Sequence, residues 1–386
     1  MTPLLQPFTG FVPESAFAHR VVGPPIAMLS PDQREAARLD PLSFRHVIGR
    51  GAGTSKEEAD EWMRTCVDEG VLHAVGPAVF VYRLAKEDFI ATGLVVDVSI
   101  PAYEEGLIKR HEKTISKTEE RMAASMQQMR ISGNPVALAH RPDAKVDDVI
   151  EAYTRREPGV SFVAADGWAH SLWPVEGDEA WQLCDLFNDA LYITDGHHRF
   201  AAAALMARDE GIPDLHIPGA LFSSTELRLR AFARCVVDPE ADLAAALERL
   251  GDEHRLVEVS DVEARPTGRA EFGVKVAGRA FRLTIDHDRI PGDLYGSLDV
   301  NLLQDLILGP VFGVTEPRDD PRLHFAADSP AVSTHTPCEA WFLPFPASVS
   351  DVMAVADAGL TMPPKSTWFA PKLPSGLVVQ MHGDTP

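Results

Sequence analysis

Asp195, Gly196, His197, His198 and Arg199 stand in a row. A carboxylate, two imidazoles and a guanidinium around one glycine form the set that phosphoryl transfer needs. Asp195 can hold Mg²⁺ or take a proton from a substrate hydroxyl. Gly196 lets a ligand approach the backbone closely. Arg199 can grip phosphate oxygens with two parallel hydrogen bonds. His197 and His198 can donate to phosphate or shuttle a proton. A zinc site is the weaker reading. Adjacent histidines seldom reach one metal, and no cysteine or third histidine lies at ligand spacing.

Two elements must position these residues. The apolar run "LYIT" enters the motif as a strand, and the alanine-rich stretch to Ala207 leaves it as a helix. A strand that ends in glycine and opens a helix places unpartnered backbone N–H groups at the positive end of the helix dipole. Capping such a helix takes one side chain, not four polar residues in succession, which favours an anion site.

Elsewhere the pattern predicts a short helix after Ser30 and a helix over "SKEEADEWMRTCVDEGVL". The latter has a Ser55–Glu58 capping box, an apolar face of Trp62, Cys66 and Val67, and a stop at Gly70. Two strands, "AVFVYRLA" and "FIATGLVVDVSI", follow. Ser116 and Glu119 read as a second capping box, on a helix whose Met122, Met126 and Met129 form a core stripe rather than a cofactor face. Helices are expected over "VDDVIEAYTRREPG" and "GDEAWQLCDLFND". Beyond Ala207, Asp238 is expected to cap a helix with Pro239 in its first turn and Gly251 past its end. A hairpin turns at Ala277-Gly278-Arg279. "LDVNLLQDLILGPVFG" and "SVSDVMAVADAG" read as helices. Strands and helices mix without a steady βαβ rhythm, so the fold class expected is α+β. The expected division is 1–207 and 208–386.

The chain has 386 residues and a formal net charge of -21, which disfavours nucleic acid and anionic membranes as partners. No apolar run is long enough to span a bilayer. The N-terminus lacks the basic-then-apolar pattern of a signal peptide. Cys66, Cys184, Cys235 and Cys338 are far apart, without a Cys-x-x-Cys pair. They are expected as reduced, mostly buried thiols of a cytoplasmic protein.

Four blocks in order, "GLIKRHEKTISKTEER", "LYITDGHHRFAAA", "SLDVNLLQDLILGPVFG" and "VMAVADAGLTMPPKSTWFAPKLPSGLV", resemble the bacterial family catalogued as domain of unknown function ten-fifteen. The Asp-Gly-His-His-Arg motif is similar to the phosphate-binding turn of the ParB and sulfiredoxin superfamily, which includes free-serine kinases. The resemblance implies a ParB/sulfiredoxin-like core with added helices and an antiparallel hairpin subdomain. It implies a small-molecule kinase acting on L-serine or a similar hydroxyl compound, with Mg²⁺ and ATP, ADP or pyrophosphate as donor. The other reading is a nucleotide-sensing protein without chemistry, and a homodimer is compatible with either.

Beside this resemblance the other blocks gain roles. Glu112 becomes a candidate general base or metal ligand. Lys109 and Arg110 can face the donor's phosphates. Lys365, Ser366 and Thr367 can add phosphate contacts, with Trp368 as a packing or stacking surface. The alternative is a charged surface turn for the first group and a C-terminal strap for the second. The chain departs from its relatives at Ile26 and Ala27, where they carry Tyr-Asp, and at Ala233, where a histidine precedes the arginine. "GRGAGTSKEE", Gly49 to Glu58, resembles a phosphate loop. It lacks the Gly-Lys-Ser/Thr end of a P-loop and reads as a turn into the Ser55 cap.

Overall fold

The computed structural model of the chain describes residues 2–25, 28–48, 54–238, 242–327 and 338–382. Ile26, Ala27, Pro239 and residues 49–53 of the stretch "GRGAGTSKEE" lie outside the described residues. The chain forms two compact units, Met1–Leu227 with Pro371–Pro386, and Arg228–Ala370.

The first unit is built on a ten-stranded mixed sheet. Its main path runs Ile108–Lys109, Leu191–Asp195, Val136–His140, His216–Ser223, Phe89–Ser99, Leu72–Lys86, Ala169–Glu176 and Val160–Val163. Leu191–Asp195 pairs parallel with Ile108–Lys109, and His216–Ser223 pairs parallel with Val136–His140. The other pairings are antiparallel. Val79, Phe80, Val81 and Tyr82 are all buried in sequence, because this central strand is covered on both faces. The helices Ser116–Met129 and His197–Glu210 pack together over the sheet. Met122 and Met126 lie against the core and Met129 is buried, as the methionine stripe predicts. Lys56–Asp68 carries the expected Ser55–Glu58 box. It buries Trp62, Met63 and Cys66, while Val67 stays exposed.

The second unit holds a six-stranded antiparallel sheet in the order Arg255–Glu258, Arg279–Thr284, Glu271–Val276, Ala340–Pro344, Phe232–Val236 and Leu323–Ala327. The expected hairpin is present. Ala277 and Gly278 both take positive φ, 51° and 75°, the backbone of a type I′ turn that follows the right-handed twist of the strands. "LDVNLLQDLILGPVFG" is helical with an inserted π-helical stretch at Gln304–Leu308.

Several expectations are corrected. Ser116 is the first helical residue and Ile115 occupies the cap, without a side-chain bond. A serine already inside the helix cannot close a capping box. Asp242, not Asp238, caps Leu243–Glu253, its carboxylate accepting from Ala245 N at 3.0 Å, and Gly251 lies within that helix. Cys235 and Cys338 are joined by a disulfide with Cα atoms 5.5 Å apart. The pairing of Phe232–Val236 with Ala340–Pro344 brings them together. Cys66 and Cys184 are free and buried. The first unit runs through Leu227, its strand His216–Ser223 belonging to the large sheet, and it takes up the residues from Pro371. Among the described residues no helix is long and apolar enough to cross a membrane.

Candidate functional site

Leu191–Asp195, one strand in from the edge of the large sheet, delivers the motif. Its pairing with Val136–His140 shifts register between Ile193 and Asp195, a bulge that re-aims the strand end. Gly196 then takes φ +96° and opens the fourteen-residue helix His197–Glu210, whose N-terminus has no side-chain cap. A side chain at this position would be strained by φ and would stand 2.9–3.1 Å from the Arg199 guanidinium. The strand–glycine–helix reading of the motif therefore describes its local geometry.

The parallel pairing of Ile108 with Leu191 and of Lys109 with Tyr192 lays residues 110–115 beside the turn. His111 and His197 are buried, with ring centroids 4.6 Å apart and planes at 89°. Glu112 Oε2 stands 3.8 Å from His197 Nδ1, and its side chain is 38% exposed. The Ile115 backbone N–H points at His198 Nδ1 at 3.5 Å. Lys109 Nζ lies 6.0 Å from the Tyr192 ring centroid, whose hydroxyl accepts from Arg141 at 2.9 Å. Arg110 is exposed. His197 Nε2 is buried and has no hydrogen-bond partner among the described residues. Burial, and then the neighbouring His111, push the His197 imidazole well below its ordinary range, so it is uncharged at neutral pH.

Asp195 and Arg199 are already engaged. Asp195 Oδ2 accepts from Arg199 Nη2 at 2.8 Å, and Oδ1 accepts from Lys372 Nζ at 2.7 Å. Burial raises the Asp195 carboxyl, but Lys372 and Arg199 outweigh it and hold the pKa below the usual range. Arg199 Nη1 donates to the carbonyls of Asn134 and Pro135 at 2.7 and 2.8 Å. The guanidinium thus ties the helix start to the neighbouring strand, and its two-bond grip is spent on the protein. Asp195 does not fit as a Mg²⁺ ligand in this arrangement, since each oxygen already faces a cation. Among the described residues no group of three His, Cys, Asp or Glu is placed to hold a metal.

Lys372 is the site residue that local reading missed. It lies in the quoted block "MPPKSTWFAPK", seven positions beyond Lys365, with nothing nearby to mark it. Lys365, Ser366 and Thr367 belong to the second unit. There the Lys365 and Pro364 carbonyls accept from buried Arg234, and Ser366 Oγ donates to the Pro363 carbonyl at 2.7 Å. Ala233, the departure beside Arg234, is buried. Residues 363–366 thus form a strap held by that arginine.

The family model described as "Protein of unknown function (DUF1015)" matches residues 5–301. No curated protein matches the chain. Among solved structures the chain is similar to a free serine kinase in complex with AMP, at 16% identity and a TM-score of 0.34, over 72% of this chain and 87% of that one. It is similar to SbnI with a C-terminal truncation from Staphylococcus aureus, at 12% identity and a TM-score of 0.37, over 71% and 82%. A conserved hypothetical protein from Pyrococcus furiosus gives 15% identity and a TM-score of 0.33, over 73% and 93%.

Proposed function

This chain belongs to the family of proteins of unknown function matched by that model, and from that premise we propose that the Asp195–Arg199 turn binds the phosphates of a nucleotide or pyrophosphate. On this reading the protein is a small-molecule kinase, passing phosphate to a hydroxyl acceptor such as L-serine. The finer fold reading, a ParB/sulfiredoxin-like core, belongs to the same proposal. One observation carries it. An uncapped helix N-terminus opens on a glycine, and beside it a buried, neutral imidazole keeps Nε2 without a partner. Oriented backbone N–H groups with the helix dipole suit a phosphate, and the His197 ring can donate to it without bringing a charge.

The roles divide as follows. Gly196 and the first helical N–H groups meet the phosphate. Lys109, Arg110 and Lys372 supply positive charge around it, and His198 flanks the opening. Glu112, half-exposed beside His197, is the general base. Asp195 organises Lys372 and Arg199 instead of taking the proton. In the reaction the acceptor hydroxyl oxygen attacks the terminal phosphorus, its proton passes to Glu112, and the phosphorus–oxygen bond to the rest of the donor breaks. No step is assigned to Mg²⁺.

A second reading, nucleotide binding without turnover, is favoured by the full engagement of Asp195 and Arg199 with protein groups. Thermal unfolding with ADP, ATP, pyrophosphate and L-serine, singly and paired, separates the two. A ligand at a hundredfold its Kd adds about 2.7 kcal/mol, enough for a visible shift. The kinase reading expects a donor shift and phosphoserine by mass spectrometry, with Glu112→Gln keeping the shift and losing about a hundredfold or more in turnover. A shift without product from any hydroxyl acceptor supports the second reading. No shift with any phosphate ligand overturns both.

A further inference from the structure

The helix that begins at the candidate site ends at a second one. Over fourteen residues it advances about 21 Å. Near its far end a cavity of about 600 Å³ is lined by Met126, Met206, Ile212 and Met381 on the apolar side and by Asp97 and Gln380 on the polar side. Asp97 is 3% exposed and Gln380 9%. Gln380 Nε2 donates to Asp97 Oδ2 at 2.8 Å. Among the described residues, Asp97 Oδ1 and Gln380 Oε1 are buried and accept no hydrogen bond of good geometry, although Gln6, opposite Asp97 on the neighbouring strand, acts on its carboxylate. Buried acceptors left unmatched are costly and rare. Here two of them belong to one bonded pair on one wall.

The Arg130, His216, Ser132 and His382 donors of the same wall are engaged elsewhere. Arg130 pairs with Glu210 at 2.6 Å. Both ring nitrogens of His216 face carbonyls, of Asp214 and Pro3. Ser132 and His382 bond each other at 2.9 Å. The wall therefore offers hydrogen-bond acceptors to a ligand, together with an apolar bed of flexible methionines that adapt to shape. This is the inverse of the phosphate turn, which offers donors.

We propose that this cavity binds a small organic cation of the amidine, guanidine or alkylamine class, its N–H groups donating to Asp97 Oδ1 and Gln380 Oε1 and its apolar body resting on Met126, Met206 and Met381. Such a ligand satisfies both acceptors at once and supplies the counter-charge that the carboxylate lacks. Burial pushes the Asp97 carboxyl up to about 7, against the hydrogen bonding of Gln380 and Gln6. A cation beside Oδ1 reverses that push by stabilising the ionised form.

The test is calorimetric titration of the whole chain with benzamidine, agmatine and butylamine, against benzoate as the anionic counterpart, in the millimolar range. It is read together with NMR of ¹³C-methyl methionine. The expected result is saturable benzamidine binding that moves the methyl signals of Met126, Met206 and Met381. Asp97→Asn, which keeps size and an acceptor but not the charge, should weaken it about tenfold or more. ADP binding at the Asp195 turn should be unchanged in that variant. If Asp97→Asn does not fold, the methyl map of the unaltered chain decides alone. No saturable binding of any of the three cations, equal binding of benzoate, an affinity indifferent to Asp97→Asn, or shifts confined to other methionines would overturn the proposal.

Discussion

Asp195 is held between Arg199, four residues on, and Lys372, 177 residues on. Arg199 also holds the carbonyls of Asn134 and Pro135, just ahead of the strand Val136–His140, whereas Lys372 places its charge beside the helix start. Lys372→Met should therefore leave the fold cooperative and weaken ADP binding by about 1–2 kcal/mol, roughly tenfold, by titration. Unchanged affinity would remove Lys372 from the site. His111 gives a pH signature. Burial, opposed by a hydrogen bond to the Ile193 backbone, brings its imidazole down to about 4. The unfolded chain takes up that proton first, near pH 6.5. The His111 contribution is thus complete above pH 6.5 and is lost as pH falls towards 4, by about 3 kcal/mol at most. His111→Gln should lose part of this acid slope in melting temperature. A residual slope from His170 and His382, both also brought down to about 4 by burial, should remain. An identical slope in the variant would contradict the assignment. The turn from Asp195 to Arg199 was legible because five adjacent residues define it. Lys372 was not, because only the folded chain carries it to Asp195.

Elements were readable where a signal is local. Ser55 with Glu58 closes its box, and the helix expected over "SVSDVMAVADAG" forms at Val349–Asp357. The hairpin turn was plain in Ala277-Gly278. At Ser116 the same pattern failed, because helix start is decided by backbone direction after residues 110–115 and not by residue type alone. Ala277 sits at φ 51°, a left-handed conformation that costs an alanine about 1 kcal/mol. Ala277→Asn, suited to this turn, should stabilise the second unit by about 0.5–1 kcal/mol in denaturant unfolding, and a loss of stability would count against the I′ geometry. Cys235 and Cys338 show the opposite limit. Their partnership follows from strand register, 103 residues apart, which no spacing rule reaches.

At the scale of the molecule, the mixture of strands and helices was legible and the route of the chain was not. The disulfide closes a long loop within the second unit. With the cysteines 103 residues apart, its reduction should lower that unit's stability by about 5 kcal/mol on the loop-entropy account. The ADP-induced shift of the first unit should persist, because the Asp195 turn is built from the first unit. Thermal unfolding with and without dithiothreitol, each with and without ADP, checks both parts.

The return of Pro371–Pro386 to the first unit has a consequence in time. On the ribosome, Asp195 and Arg199 emerge with most of the large sheet, but Lys372 and Gln380 follow only after the whole of Arg228–Ala370 has been made. Both the Asp195 turn and the Asp97 cavity therefore lack a member until Lys372 and Gln380 have been made. A nascent chain can fold its second unit first, since domains fold as units during synthesis, while the Asp195 turn waits for Lys372 and the Asp97 pair for Gln380. On the two proposals, competence to bind thus reports that translation has passed Gln380.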